Sequence, residues 1–249
     1  MTKLISVLLA AVVSTTAHSA GDMVQSDIAY KMSLEGKSIA FVGDSICYGA
    51  NYSGGYGKLI GEQNNMIVTN CGVDAITLAR NESVTGSKIS IVDTVEALEG
   101  EYDYIIVEGG INDSWKKVPL DSLTDGFDGG YDESTVTGAM ESIFYSLKQN
   151  HPESKLGFVI AHDHLTYDGE AEFAPYYETI KAVCEKWSIS YIDLYAANNP
   201  WTGINVKDPE INRLYFGSEK TPEGDGCHPN ELGYQVIYVD PMVVWLKTL

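Results

Sequence analysis

Five short, nearly continuous runs of β-prone apolar residues recur along the chain, and helix-like stretches separate them. Each run is bounded by turn residues, a pattern typical of parallel strands that are buried on both faces. Strand and helix alternate to the last residues, which predicts a three-layer α/β/α fold around a central five-stranded parallel sheet. The predicted strands are Ser38–Val42, Met66–Asn70, Tyr104–Glu108, Leu156–Ala161 and Ser190–Leu194.

Apolar residues at helical spacing mark the segments between the strands. Asn230 is predicted to cap a last helix, and Pro241 to kink or break it. The Gly- and Asp-rich run Asp121–Glu133 predicts a surface loop, and loops of that length are often functional. The clearest helix faces carry Val136, Ala139, Met140, Ile143, Phe144 and Leu147 between about 135 and 150, and further along Ile180, Val183, Cys184 and Trp187.

The first 20 residues have the pattern of a secretory signal peptide. Lys3 precedes an apolar run over residues 4–13, and polar and small residues then lead to Ala20. The run is too short to span a bilayer, which needs about 20 apolar residues, and no later stretch is long enough. We therefore expect residues 1–20 to be removed, residues 21–249 to form one domain, and the protein to be secreted or periplasmic through bacterial export. A buried N-terminal helix is the alternative.

The chain is strongly acidic, with 16 Lys and Arg against 35 Asp and Glu and a formal net charge of −19. Such a charge repels phosphate backbones and anionic membranes, so nucleic acid is not expected as a partner. Small neutral or cationic ligands remain open. The charge also accounts for the solubility of a secreted protein.

Cysteine and histidine spacing gives little support to a metal site. The four cysteines show no C-x-x-C spacing, which argues against a zinc ribbon or a thioredoxin-type redox site, and the sequence leaves open whether they pair. His162 and His164 follow a predicted strand, but alternate residues at a strand end need further ligands to hold one metal. We expect no metal, and a cleft-lining or solvated role for the two histidines.

Polar residues follow several predicted strands, where open α/β sheets bind their ligands. Ser45 follows the first strand, and a serine hydroxyl becomes nucleophilic when an imidazole takes its proton. His228 and Asp225 can supply that imidazole and the acceptor that fixes its tautomer. The Asn112 amide and the backbone N–H groups of Ser45 and Ala75 are candidate donors to the oxyanion of an ester under attack.

Four motifs carry a family resemblance. G-D-S-I at 43–46, N-x-G at 70–72, G-I-N-D at 110–113 and D-G-C-H-P at 225–229 resemble, in the same order, the four blocks of the SGNH, or GDSL, hydrolase superfamily. The resemblance covers essentially the whole mature chain. It implies that Ser45 is the nucleophile, His228 the general base and Asp225 its orienter, with an oxyanion hole at Ser45, Ala75 and Asn112. The lack of a G-x-S-x-G elbow favours a flavodoxin-like arrangement.

One position departs from that family. The second-block donor is usually glycine, and Ala75 stands there in this chain, with Gly72 as the fallback donor. Asp44, Gly72 and Trp115 are weaker candidates for substrate contact. Tyr48, Tyr52 and Trp115 offer rings that could stack on a sugar or an acyl chain.

The sequence therefore predicts a secreted serine esterase that cleaves short-acyl esters through an acyl-enzyme and needs no cofactor. Small-molecule esters or O-acetylated glycans are the expected substrates. Two alternatives stay open. One is a lysophospholipase or thioesterase acting on longer acyl chains, and the other is a glycan-binding protein that has lost catalysis. The oligomeric state does not follow from the sequence.

Overall fold

The structure is a computed structural model that describes residues 33–165, 173–195 and 204–249. The predicted signal peptide, residues 1–20, and the predicted domain start at residue 21 lie outside the described residues. Residues 36–249 form one compact unit. Among the described residues, every helix is too short or too polar to span a lipid bilayer.

Five parallel strands form one sheet, as the sequence predicts. Its order is β2-β1-β3-β4-β5, so β1, β3 and β4 occupy its interior and β2 and β5 its edges. All residues of β3 are buried, whereas most of β2 is at least partly exposed. The strands are β1 (Ser38–Gly43), β2 (Ile67–Gly72), β3 (Tyr104–Glu108), β4 (Lys155–Ile160) and β5 (Ser190–Asp193).

Helices cover the sheet and complete the predicted three-layer α/β/α fold. Those described are α1 (Ser45–Tyr48), α2 (Gly55–Asn64), α3 (Glu82–Thr85), α4 (Ile91–Glu96), α5 (Ile111–Trp115), α6 (Val136–Asn150), α7 (Ala174–Trp187), α8 (Pro209–Phe216), α9 (Glu231–Gly233), a π-helical segment (Tyr234–Val239) and α10 (Asp240–Leu246). In one layer α6 contacts α4 and α7, and in the other α2 contacts the π-helical segment.

The long helix α6 follows its sequence signals closely. Thr135 caps it by accepting a hydrogen bond from the N–H of Gly138. The predicted apolar face is buried along its length, which confirms the expected helix between about 135 and 150.

The last helix begins and changes near the residues that the sequence indicates. Asn230 caps it, accepting from the N–H of Gly233. Its regular α-helical hydrogen bonding is interrupted by the π-helical turn Tyr234–Val239, which ends two residues before Pro241. That turn changes the hydrogen-bond register before the proline, and Pro241 then stands in the first turn of α10, where its missing N–H is tolerated.

The predicted loop Asp121–Glu133 has neither helix nor strand and is tied to the layer of α6 and α7. Lys186 of α7 donates to the backbone oxygens of Thr124, at 2.7 Å, and Gly126, at 2.9 Å. The same ammonium pairs with the carboxylate of Glu141 on α6, which is fully buried. One lysine thus joins two helices and the loop.

Candidate active site

Ser45, His228 and Asp225 form one continuous chain of hydrogen bonds at the carboxyl end of β1. The Oγ of Ser45 lies 2.9 Å from Nε2 of His228, although the two residues are 183 positions apart. The other imidazole nitrogen, Nδ1, lies 2.8 Å from Oδ2 of Asp225. The structure therefore brings together the three residues that the sequence predicted as nucleophile, base and orienter.

The loop that carries His228 is fixed by its own backbone. Oδ1 of Asp225 accepts from the N–H of Cys227 at 2.9 Å and of His228 at 2.8 Å. The side-chain amide of Asn51 donates to the carbonyl of His228 at 2.8 Å. Gly226 has a φ of +63°, and a Cβ there would lie 2.5 Å from the side chain of Leu165. Glycine is therefore needed for this turn to close.

The electrostatics of the His228 and Asp225 pair favour an imidazolium. Burial works against the charged form of His228, but the hydrogen bond and the charge of Asp225 outweigh it and raise the pKa of His228 above its usual value. Burial likewise opposes ionisation of Asp225, while its bonds to His228 bring the net pKa below its usual value. The carboxylate of Asp225 thus stabilises the imidazolium that forms when His228 accepts a proton.

Asn112 lies in α5, and its amide faces both Asp44 and the second-block loop. Its Nδ2 donates to the carbonyl of Ile76 at 2.9 Å and to Oδ2 of Asp44 at 3.2 Å. Asp44 also caps α1 by accepting from the N–H of Ile46 at 2.9 Å. Asp44, a sequence candidate for substrate contact, is only 1% exposed and makes internal bonds instead.

Ala75 takes up a backbone conformation that usually belongs to glycine. Its φ is +60°, within the left-handed region. The following residues are held by the buried carboxyl of Asp113, which accepts from the N–H groups of Leu78 at 2.8 Å and Ala79 at 3.1 Å. Burial raises the pKa of Asp113 to about 7. The second block is thus attached to the third through one side chain.

Gly72, the fallback donor, serves the packing of α1. Its N–H already donates to the side chain of Asn70 at 2.8 Å, which leaves it no proton for an oxyanion. A Cβ on Gly72 would lie 2.3 Å from the backbone nitrogen of Tyr48. The close approach of β2 and α1 therefore explains this glycine, and Ala75 remains the donor candidate.

The two histidines after β4 are buried among aromatic rings. His162 bonds through Nδ1 to the hydroxyl of Tyr238 at 2.7 Å, and the ring centroid of His164 lies 3.7 Å from that of Phe173. Trp115 meets His164 edge-on at 5.6 Å. Burial lowers the pKa of His162 to about 3 and of His164 to about 4, so both are neutral at physiological pH. The described residues include no group of three potential metal ligands.

The cysteines and the two tyrosines named from the sequence lie in the described part of the chain. All four cysteines there are unpaired. Tyr48 ends α1 with its side chain 53% exposed. Tyr52 donates its hydroxyl to Glu231 at 3.4 Å and lies under the ammonium of Lys58, 4.8 Å from the ring centroid.

Glu108 was not among the site residues predicted from the sequence, in which it is the last residue of a predicted strand. Its carboxyl is fully buried at the end of β3, beside Gly43 and Asp44. An acidic residue inside an otherwise apolar strand is rare, since Glu is almost never fully buried without a partner. That signal, four residues before Asn112, was available in the sequence.

Comparisons with known proteins agree with the fold and the motifs. The sequence model of the GDSL-like lipase/acylhydrolase family matches residues 41–236. A Lactobacillus plantarum protein of known structure is 21% identical, with a TM-score of 0.68 over 86% of this chain and 98% of that one.

Two esterases share the fold at lower identity. A carbohydrate acetylesterase family member from Sinorhizobium meliloti is 13% identical, with a TM-score of 0.55 over 86% of this chain and 100% of that one. The aryl esterase of M. smegmatis, in an inhibitor-bound form, is 12% identical, with a TM-score of 0.56 over 86% and 99%. No curated protein matches the chain.

Proposed function

We propose that this chain, which belongs to the GDSL-like lipase/acylhydrolase family and is a hydrolase that acts on ester bonds, uses Ser45 as its nucleophile. The observation that supports this most is the unbroken hydrogen-bond chain from Ser45 through His228 to Asp225. The serine is thereby in contact with a base, and the base with an acceptor that fixes its tautomer.

The reaction follows from these contacts. His228 Nε2 takes the Ser45 proton as Oγ attacks the ester carbonyl, which forms a tetrahedral oxyanion. The oxyanion collapses, the alkoxy group leaves, and it takes the proton from His228 to become the free alcohol. A water molecule then attacks the acyl-enzyme with His228 again as base. Release of the carboxylic acid restores Ser45.

Three donors are proposed for the oxyanion: the N–H groups of Ser45 and Ala75 and the amide of Asn112. Of the two bonds that the Asn112 amide makes, the one to Asp44 is the longer, at 3.2 Å against 2.9 Å to Ile76. An incoming oxyanion would compete for the proton of that longer bond. Preorganised donors of this kind account for roughly 10² to 10³-fold in kcat when one is removed.

The experiment that tests the mechanism is hydrolysis of p-nitrophenyl esters from acetate to palmitate by the wild type and by Ser45→Ala. We expect the highest rate at acetate or butyrate, and a loss of about 10⁴-fold or more in the variant at unchanged thermal stability. Wild-type turnover in a folded Ser45→Ala protein would contradict the mechanism. A rate that rises with chain length would favour a lysophospholipase or thioesterase.

We further propose that the substrates are short-acyl esters on glycans. Tyr48 supports this, because it stands three residues after Ser45 on the same short helix and is about half exposed as a residue. An exposed aromatic face next to a nucleophile suits stacking on a sugar. The fold is also shared with a carbohydrate acetylesterase family member. Export directed by residues 1–20 would place the enzyme where such glycans occur, and this too is a proposal.

Tyr48→Ala tests the glycan proposal. We expect a higher KM for an acetylated oligosaccharide and an unchanged KM for p-nitrophenyl acetate, because only the sugar would stack on the ring. Tyr48→Phe keeps the ring and serves as the matched control, with wild-type constants on both substrates. An equal loss on both esters in Tyr48→Ala would count against a sugar contact. If the protein hydrolyses no ester and a fluorophosphonate does not label it, the result would favour a glycan-binding protein.

A further inference from the structure

Glu108 lies against the segment that carries the nucleophile. It ends β3, is fully buried, and its Oε2 would lie 2.8 Å from a Cβ placed on Gly43. Its carboxyl faces the carboxyl of Asp44, while the backbone N–H groups of Asp44 and Cys47 approach it from the same side. Neither of its oxygens accepts a hydrogen bond of normal geometry from a described residue. The mechanism above gives this carboxyl no role.

The surroundings of Glu108 favour a neutral acid. Burial and the neighbouring Asp44 raise its pKa well above the usual value, whereas burial raises that of Asp44 to about 6. Of the two carboxyls, Glu108 therefore keeps its proton to a higher pH than Asp44 does. The described titratable groups whose pKa the Glu108 charge affects are all acids, with no cation among them: the carboxyl of Asp44, the thiols of Cys47 and Cys227, and the phenols of Tyr56, Tyr177, Tyr234 and Tyr238.

A neutral Glu108 carboxyl can donate its proton to the neighbouring carboxylate of Asp44. Asp44 already receives the Ile46 N–H on Oδ1 and the Asn112 amide on Oδ2. An O–H from Glu108 would give the Asp44 carboxylate a third hydrogen-bond donor. A buried carboxylate needs several such donors to offset the loss of water. Three residues from β3, the β1–α1 junction and α5 would then form a single network.

We propose that Glu108 is a positioning residue, which donates its O–H to the Asp44 carboxylate and thereby holds the Asn112 amide in place for the oxyanion. The inference rests on the proposed function, in which Asn112 binds that oxyanion. Glu108 does not touch the substrate. It acts through Asp44, which makes its contribution visible in kcat and not in substrate binding.

Two variants of similar size separate this role from simple packing. Glu108→Gln keeps a donor and no charge, so we expect its kcat within about threefold of the wild type. Glu108→Leu removes the donor, and a displaced amide should lower kcat about 10- to 100-fold at unchanged KM. A Gln variant that loses tenfold or more overturns the proposal, as does a folded Leu variant with wild-type kcat.

A double-mutant cycle tests whether Glu108 acts through Asn112. In an Asn112→Ala background there is no amide to hold, so we expect Glu108→Leu to lower kcat by less than about threefold further. If the two losses multiply instead, Glu108 acts by another route and the proposal fails.

The proton on Glu108 can be tested without activity. Between about pH 5 and about pH 8 we expect the Tm of the wild type to fall relative to that of Glu108→Gln, because folded Glu108 keeps a proton that the unfolded chain releases. Parallel Tm curves would overturn the proposal, even where the Leu variant does not fold. A wild-type protein that is inactive on all esters would contradict the proposed function. A Tm that falls with pH relative to Glu108→Gln would still show that folded Glu108 keeps its proton.

Discussion

At the scale of single residues, Ala75 shows how a backbone angle can be kept without the residue that usually supplies it. Its φ of +60° lies in a region that costs an L-residue roughly 1–2 kcal/mol, and glycine avoids that cost. Ala still tolerates the angle, because its side chain is a single methyl group. Larger, β-branched side chains do not tolerate it. Alanine in place of the family's glycine therefore adds backbone strain at this position but keeps the backbone N–H.

Substitutions at Ala75 should follow that strain. We expect Ala75→Gly to keep kcat within about threefold, since the angle suits glycine, and Ala75→Val to lower kcat about tenfold or more as the backbone relaxes and moves its N–H. Steady-state kinetics on a p-nitrophenyl ester checks both. Equal activity in the two variants would show that this N–H is not an oxyanion donor.

His228 should set the acid side of the pH profile. The base must be neutral to accept a proton, and Asp225 raises the pKa of His228. The rate kcat/KM should therefore fall as pH drops, with a midpoint above the ordinary value of about 6.5. Asp225→Asn should lower both the rate and that midpoint. The buried histidines His162 and His164 stay neutral in this range and should not contribute. A midpoint unaffected by Asp225→Asn would contradict the assignment.

At the scale of elements, sequence patterns predicted the strands and the helix cap that depend on nearby residues. The strand β3 and the Asn230 cap depend on neighbours within a few positions, and the structure confirms both. The interruption expected at Pro241 takes the form of a π-helical turn that ends just before α10, and the sequence pattern did not predict that form.

In the candidate active site, too, residues within motifs were predicted and roles that depend on long-range contacts were not. Ser45, His228 and Asp225 could be predicted because each stands in a motif. An acid at the end of an apolar strand marked Glu108 as unusual, but its surroundings and the internal role of Asp44 depend on contacts between β3 and the β1–α1 junction, which no local pattern contains.

Asp113 links the third block to the second, so its loss should reach the oxyanion hole. Asp113→Ala leaves the buried N–H groups of Leu78 and Ala79 without a partner, which costs about 1–3 kcal/mol for each group. We expect a lower Tm and a lower kcat, because the loop after Ala75 loses its attachment. Thermal denaturation and kinetics measure the two effects. A stable variant with full activity would show that Asp113 does not hold this loop.

At the scale of the whole molecule, the ion pair between the buried Glu141 and the largely buried Lys186, whose side chain is 12% exposed, connects parts that are distant in sequence. It joins α6 to α7 and holds Thr124 and Gly126 of the Asp121–Glu133 loop. Burying two charges is costly, and the attraction between them offsets that cost only while both are present. The pair therefore specifies where the loop lies more than it adds stability.

Lys186→Met should destabilise the fold strongly by leaving the Glu141 carboxyl buried and unpaired. We expect the free energy of unfolding to fall by about 3–5 kcal/mol, measured by urea denaturation. The double variant Glu141→Leu, Lys186→Met should recover part of the loss, since no charge then remains. A double variant less stable than the single one would mean that the charge left on Glu141 is not the source of the loss.

The distance in sequence between Ser45 and His228 has a consequence for biosynthesis. The imidazole reaches the serine only after the sheet and the turn before the last helix have formed. A partly synthesised or misfolded chain thus holds an ordinary hydroxyl and should not attack esters before it folds. Reaction with a fluorophosphonate would then count correctly folded molecules, and the appearance of labelling during refolding would time the final docking of the C-terminal segment.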